Sequence, residues 1–139
     1  LPVLAYSKMY LYAGAEKYVS PGHSYIDFEQ LGLHIGMAVV LIRATTAIHD
    51  TMPIYRPMLS AASVLITEQG YAKDSSLLQQ YAKEHQLMVM MANFCGVSGV
   101  WKATRKSCIW SNHGNVLAQA EAADMSNGLA FKLLLLEQT

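Results

Sequence analysis

The chain is poor in charge, and this shortage narrows the kinds of protein it can be. Only 14% of its 139 residues are charged and 53% are hydrophobic, which is typical of a chain with buried strands and not of a disordered tail. Its ten basic residues equal its ten acidic ones, so no charge excess favours nucleic acid or an anionic membrane as a partner. We therefore expect a globular domain that does not bind nucleic acid.

Long apolar runs and a cysteine framework are also missing. The longest apolar run, residues 35–42, is too short to cross a bilayer, and no signal-type segment is present at the start. Cys95 and Cys108 are the only cysteines and form no CxxC motif, which predicts free thiols. These features predict a cytoplasmic protein with no membrane partner.

Motifs for metal ions and cofactors are absent from the sequence as well. The five histidines include no i, i+4 pair and no HExxH motif, so no metal site is expected. No glycine-rich loop of the Rossmann or Walker type is present, and we expect no cofactor.

The apolar segments that are present predict an α/β fold. Four of them favour β-strands: residues 2–12, 31–42, 61–67 and 86–93. A helix capped by Asp74 or Ser75 and ending at His85 lies between the last two strands, which indicates a βαβ unit.

Glycine, proline and polar residues predict the remaining connections. Residues 14–25, 69–71 and 95–101 are expected to be loops, and residues 106–110 and 115–120 a hairpin. Residues 129–136 favour a last strand or a short helix. The pattern is poorest over residues 43–60, where Pro53 and Pro57 break any helix.

Lys8 needs an explanation because it is a lone ammonium in an apolar, aromatic run. Such a group is costly to bury unless a carboxylate or an anionic intermediate meets it. Spacing alone favours a lysine at a strand end, with its stem buried and its head in water.

The cysteines and methionines have ordinary interpretations too. Cys95 follows a strand in a glycine-bearing loop where a nucleophile could be exposed, but no histidine is tied to it by spacing, so a packed small residue is favoured. Cys108 and the methionine-rich residues 88–91 are predicted to be core.

Several motifs follow one another along most of the chain in a familiar order: residues 6–11 (YSKMYL), 14–22 (GAEKYVSPG), 33–40 (LHIGMAVV), 61–67 (AASVLIT), 80–85 (QYAKEH), 91–93 (MAN), 99–101 (GVW) and 114–118 (GNVLA). Together they resemble the carbon–nitrogen hydrolase (nitrilase) superfamily, in its amidase-like bacterial branch. The first looks like the family's Tyr-x-Lys-x-His-Leu segment, with Tyr10 in place of the histidine.

The resemblance implies a fold and an activity. The fold would be part of an α-β-β-α sandwich of the nitrilase type, with residues 1–139 as a single partial domain that lacks the N-terminal part. The family hydrolyses small amides or nitriles with a Glu base, a Lys and a Cys nucleophile through a thioester. The implied protein is a homo-oligomer without a cofactor.

The resemblance also assigns residues. Lys8 falls on the family lysine, which reverses the interpretation from spacing alone. Glu16 falls near a supporting carboxylate, although Ala15 occupies one of the two acidic positions there. Asn93 and Trp101 fall where substrate binding is expected.

Two catalytic groups are missing from the chain as written. Val40 stands at the position of the nucleophile cysteine, and the general-base Glu would lie upstream of Leu1. A valine cannot form a thioester, so the chain should not turn over by this route.

A shifted reading frame would explain the missing nucleophile motif. If residues 39–45 (VVLIRAT) were encoded GTT GTG CTG ATA CGA GCC ACC, regrouping from the third base gives Cys-Ala-Asp-Thr-Ser-His, the family's nucleophile sequence. Residues 57–60 (PMLS) can regroup in the same way to Ala-Asp-Ala-Val, close to the expected Gly-Ala-Asp-Val.

Three interpretations follow from the sequence. The first is a fragment or decayed member of the carbon–nitrogen hydrolases. The second is a non-catalytic remnant that acts as an interaction or oligomerisation module through strand edges and apolar faces. The third, ranked last, is a free-standing thiol hydrolase that uses Cys95.

Overall fold

Three parallel strands lie at the centre of a mixed β-sheet. The computed structural model describes residues 5–30, 32–39 and 59–120. The elements in chain order are β1 Ile26–Gln30, β2 Leu33–Val39, β3 Leu59–Val64, α1 Glu68–His85, β4 Met88–Asn93, β5 Val97–Ser98, β6 Trp101–Lys102, β7 Cys108–Trp110 and β8 Val116–Gln119. The main sheet has the order β1-β2-β3-β4-β7-β8, and β5 pairs with β6 in a separate hairpin. Strands β2, β3 and β4 are parallel neighbours, while the outer pairs are antiparallel.

The helix α1 packs on one face of this sheet and closes the core. Its buried side chains are Leu78, Tyr81 and Ala82. The sheet residues that share this core are listed from β3, β4 and β7 in turn: Ala62, Val64, Val89, Met91, Cys108 and Trp110. The register places Met91 opposite both Ala62 and Cys108, so one continuous apolar face meets the helix.

Most of the predicted strands are confirmed within the described residues. β2, β3 and β4 lie within or close to the predicted ranges, and β3, α1 and β4 form the predicted βαβ unit. The hairpin of β7 and β8 is also present. The short β5–β6 hairpin overlaps the predicted loop over residues 95–101 and extends it by one residue, to Lys102.

The predicted start of the helix is wrong, because α1 begins at Glu68 and not near Asp74. Thr67 is the extended N-cap residue, and Glu68 places a negative charge in the first turn, where the helix dipole favours it. Gly70, expected in a loop, lies inside the helix. Ser75 does not cap the helix, since its hydroxyl donates to the carbonyl of Tyr71 one turn earlier.

Two further differences concern the first part of the chain. Residues 5–12 form no strand, although a strand was predicted over residues 2–12. β1, in contrast, was not predicted, although Ile26 to Glu29 alternate apolar and acidic side chains as in a half-exposed strand. The predictions for residues 43–58 and 129–136 lie outside the described residues. None of the helices described is long and apolar enough to span a membrane.

The core assignment predicts different costs for two adjacent leucines of α1. Leu78 is 1% exposed and Leu77 is 39% exposed. Leu78→Ala should lower the free energy of unfolding by about 2–5 kcal/mol because it leaves a cavity against the sheet. Leu77→Ala, the matched control, should cost less than about 1 kcal/mol. Urea denaturation checks both values, and equal losses would contradict the packing described.

Candidate functional site

Lys8 and Glu16 form an ion pair in the segment that precedes β1. The Lys8 Nζ atom donates to both carboxylate oxygens of Glu16, at 2.8 Å and 2.9 Å. The two side chains are 25% and 31% exposed, so the pair is only partly screened by water. The ammonium of Lys8 is therefore held by a carboxylate and does not extend freely into solvent, as spacing alone had suggested.

The turn after Lys8 fixes the carboxylate of Glu16. The Tyr12 backbone N–H donates to this carboxylate, and the Glu16 N–H donates to the Tyr12 carbonyl at 3.1 Å. The hydrogen bond from Lys8, followed by that from Tyr12, holds the pKa of Glu16 below its ordinary value. Because this pKa is lowered, the contribution of the pair to stability is present above the ordinary carboxyl pKa and is lost as pH falls through the folded value.

Close packing at Gly22 fixes the backbone that carries Lys8. The Gly22 N–H donates to the Lys8 carbonyl at 2.9 Å. A Cβ atom at position 22 would lie 2.2 Å from the Ser7 carbonyl oxygen, which is far inside van der Waals contact. Only glycine allows the two backbones to approach this closely.

A cavity of about 680 Å³ lies beyond the carboxyl end of β3. Its walls are residues 67–69, at the start of α1, and residues 100–105, which comprise Val100, β6 and the segment that follows it. In open α/β sheets, ligands bind outside the carboxyl ends of the parallel strands, which is where this cavity lies. Its size suits a small organic molecule.

Trp101 connects the cavity to the ion pair. Its side chain lines the cavity and packs edge-on against Tyr12, with ring centroids 6.2 Å apart and an interplanar angle of 74°. Tyr12 is the residue whose backbone N–H holds the carboxylate of Glu16. Lys8 and Glu16 do not themselves line the cavity, so three of the five residues assigned from the sequence are linked through Tyr12 alone.

Asn93, the fourth, ties neighbouring segments together. It lies at the end of β4 and is 8% exposed. Its side-chain Oδ1 accepts from the Ile66 N–H at 2.7 Å, and its Nδ2 donates to the Ile66 carbonyl at 3.2 Å. The cavity walls do not include Asn93. Its hydrogen bonds hold the segment between β3 and α1, one residue before the cavity wall begins.

The hydrogen bonds of Asn93 predict a large stability effect. Asn93→Ala should lower the free energy of unfolding by about 2–4 kcal/mol, because the buried N–H of Ile66 loses its acceptor. Asn112→Ala is the matched control, because Asn112 is exposed in the β7–β8 turn, and it should cost less than about 0.5 kcal/mol. Thermal or urea unfolding measures both. A loss at position 93 no greater than that at position 112 would contradict the tie described here.

Glu68 is a cavity residue that the sequence analysis missed. Its carboxylate accepts hydrogen bonds from the Thr104 hydroxyl and from the Lys106 Nζ atom, the latter at 2.9 Å. The hydrogen bond from Thr104, followed by that from Lys106, lowers the pKa of Glu68. These partners lie 36 and 38 residues away in the chain, so no local spacing could have revealed the cluster.

The remaining assigned residues divide into three cases. Val40, at the expected nucleophile position, lies outside the described residues. Cys95 is exposed, so its prediction as a packed residue is wrong: it lies just before the β5–β6 hairpin, whose strand residues are exposed as well. Cys108 is buried as predicted, and burial raises the pKa of its thiol to about 11.

The described part of the chain contains no group of three or more potential metal-ligating side chains.

Comparison with solved structures identifies the fold. An amidase of the nitrilase superfamily from Nesterenkonia AN1, solved as a mutant, matches with a TM-score of 0.77 and 21% identity over 87% of this chain and 48% of that one. XC1258 from Xanthomonas campestris, a CN-hydrolase superfamily protein with an arsenic adduct in its active site, matches with a TM-score of 0.70 and 18% identity over 81% of this chain and 46% of that one.

A second mutant of the Nesterenkonia sp. AN1 amidase shows covalent addition of the acetamide moiety of fluoroacetamide at its active-site cysteine. It matches with a TM-score of 0.76 and 20% identity over 86% of this chain and 46% of that one. No protein-family model matches the sequence, and no curated protein matches it either.

These matches confirm the predicted fold class. The chain has a mixed α/β fold like part of a nitrilase-superfamily protein, and it spans about half the length of the solved structures it matches. The resemblance seen in the sequence motifs is thereby confirmed at the level of the fold.

Proposed function

We propose that this chain is part of a carbon–nitrogen hydrolase whose complete form hydrolyses small amides or nitriles. The observation that carries the proposal is the Lys8–Glu16 ion pair, which one aromatic contact connects to a cavity in a nitrilase-type fold. The Nesterenkonia protein, which shares this fold, is an amidase, and its active-site cysteine carries the acetamide moiety of fluoroacetamide in one mutant. We assign hydrolysis of amides by a cysteine nucleophile to the complete form of this protein, acting on a small molecule in the cytoplasm.

In the proposed reaction, each residue has a defined role. A cysteine thiolate attacks the amide carbon, and the carbonyl oxygen becomes negative in the tetrahedral intermediate. The Lys8 ammonium donates to that oxygen, while the Glu16 carboxylate holds the ammonium in position. Collapse of the intermediate releases ammonia and leaves a thioester, which water hydrolyses to a carboxylic acid. A Glu from outside this chain moves the protons.

The substrate-binding assignments differ in kind. Trp101 forms part of the cavity wall and would contact the substrate directly. Asn93 would act through Ile66 and the cavity wall that follows it, so we propose it as a positioning residue. Val40 supplies no nucleophile, and we propose that the chain as written does not turn over.

The arrangement of β2 and β3 supports the reading-frame hypothesis for residues 40–58. β2 ends at Val39, and β3 begins at Leu59 and pairs with it in parallel from Ile35↔Leu59 to Val39↔Ser63. The family-like sheet therefore continues on both sides of the segment that lacks the expected motif.

Genomic resequencing across the codons for residues 39–60 tests this hypothesis. We expect codons that regroup to a Cys-Ala-Asp-Thr-Ser-His sequence in the neighbouring frame. An intact frame with codons that cannot regroup in this way would refute the frame shift and leave a genuine substitution at Val40.

A restored protein tests the role of Lys8. The upstream half and Val40→Cys are added, and hydrolysis of small amides is followed by ammonia release. Lys8→Met should lower kcat by about 100-fold or more, because the developing oxyanion loses its cationic donor. Lys17→Met is the matched control, since the Lys17 ammonium lies over the Tyr18 ring in the same turn, and it should leave kcat within about twofold. A Lys8→Met enzyme as active as the Lys17→Met one would remove Lys8 from the mechanism.

A second function is favoured by one surface feature. Phe94, Val97 and Val100, in and around the β5–β6 hairpin, are 46%, 68% and 91% exposed. Exposed apolar side chains of this size are typical of contact surfaces, and they would suit a homo-oligomer or an interaction module. Absence of any turnover in the restored protein would favour this second function. Turnover that is lost on Cys95→Ala would instead favour a thiol hydrolase that uses Cys95.

A further inference from the structure

The helix α1 covers one face of the main sheet, and the opposite face is largely apolar. Residues paired between neighbouring strands point to the same side of a sheet, so the register assigns each side chain to a face. α1 packs on the side that carries Val89 and Met91. The side chains that alternate with these lie on the opposite side, which we call the open face. From β1 to β7 its larger side chains include Phe28, Ile35, Met37, Met88, Met90 and Ile109.

The open face carries no charge on any of the six strands of the main sheet. The side chains of these strands that can be charged near neutral pH are Asp27, Glu29 and His34. The register pairs Asp27 with Gly36 and Glu29 with His34, which places all three on the helix side. A charged partner would lose hydration at the open face without gaining an ion pair. An uncharged apolar partner is therefore favoured, and a second copy of the same face meets this requirement.

The two faces differ in exposure within a single strand. Met88 and Met90 of the open face are partly exposed, whereas Met91 of the helix side is 1% exposed. Leu59 and Ile109 are the open-face residues that are already buried. The remaining side chains named for this face are partly exposed, as Met88 and Met90 are. A contiguous apolar surface of this kind is typical of a site of protein–protein contact.

The open face is large enough for a stable interface. Six strands spaced about 4.8 Å apart, each about five residues long, span a flat area of roughly 500 Å². The relief of the side chains makes the accessible surface larger than this flat area, which brings it near the roughly 800 Å² that each partner buries in a standard interface. The methionines add side chains that adapt readily to an opposing surface.

We propose that two copies of this chain associate through their open faces, so that two sheets pack against each other with a helix on each outer side. Sheets packed in this way cross at about 30° and are related here by a twofold axis. Each copy spans 46% to 48% of the solved structures it matches, so two copies supply about the length of one such protein. This interface is separate from the β5–β6 hairpin and does not depend on the proposed hydrolase activity.

The mass of the purified chain in solution tests the proposal. Sedimentation velocity and light scattering over a range of concentrations should show a species of twice the chain mass that dissociates on dilution. A chain that stays monomeric at every concentration up to about 100 μM would overturn the proposal, since a face of this size should pair well below that concentration.

Two lysine substitutions locate the interface. Met90→Lys places an ammonium in the open face, twice in each symmetric dimer, and should raise the dissociation constant at least about tenfold. Val97→Lys is the matched control, because Val97 is 68% exposed in the β5–β6 hairpin, and it should change the constant by less than about twofold. Circular dichroism and urea unfolding check that both variants fold. A dimer weakened by Val97→Lys and not by Met90→Lys would move the interface to the hairpin and overturn the proposal.

A measurement on the unaltered chain avoids any dependence on the folding of a variant. With ¹³C-labelled methionine methyl groups and a soluble paramagnetic probe, Met37, Met88 and Met90 should be shielded in the dimer and become accessible on dilution. Met91 is the internal control and should be shielded at every concentration. Accessible open-face methyl groups in the dimer would overturn the proposal. Shielding that appears only after the upstream half is added would assign the face to that half and would equally overturn the pairing of two copies.

Discussion

The backbone of Ile66 is the point where three segments of the fold are tied together. Its N–H and carbonyl are both bonded to the side chain of Asn93, and the same carbonyl accepts from the Thr104 N–H at 2.9 Å. These bonds join the ends of β3 and β4 to the segment after β6. The cavity begins at Thr67 and ends at Arg105, and its two walls are held together by the bonds at Ile66, by the Thr67–Ala103 bridge and by the hydrogen bond from Thr104 to Glu68. The site therefore depends on buried polar contacts that have little freedom to rearrange.

The Lys8–Glu16 ion pair is held in place by local contacts within the first part of the chain. The turn that follows Lys8 presents the Tyr12 N–H to Glu16, and Gly22 lets the next segment pack against Ser7. A carboxylate held on two sides remains ionised and keeps its ammonium partner in place. An ammonium prepared in this way can stabilise a negative oxygen without reorganising as the charge develops. The Lys8–Glu16 ion pair therefore suits a reaction in which the carbonyl oxygen of the substrate becomes negative.

The sequence predicted the parts of the fold that depend on local pattern. Apolar runs located β2, β3 and β4, and their order gave the βαβ unit. Residues 2–12 also form an apolar run of this kind, yet residues 5–12 pair with no neighbouring strand. An apolar, aromatic run alone was therefore not sufficient to predict a strand. The start of α1 was missed because Gly70 was assigned to a loop before the helix, whereas packing of Tyr71 and Leu78 on the core offsets the cost of a glycine in the helix. Only part of the site could be predicted from the sequence. The Lys8 assignment came from motif resemblance, while the Glu68–Thr104–Lys106 cluster joins residues too distant in sequence for any pattern to reveal.

The central claim is that Lys8, supported by Glu16, meets the oxygen of a bound amide at the edge of this cavity. A crystal structure of the chain with a bound amide tests it most directly. The account predicts that the amide lies against Trp101 with its oxygen within hydrogen-bond distance of the Lys8 Nζ atom, while Glu16 remains paired with that nitrogen. An amide bound elsewhere, or one whose oxygen is far from Lys8 Nζ, would contradict it.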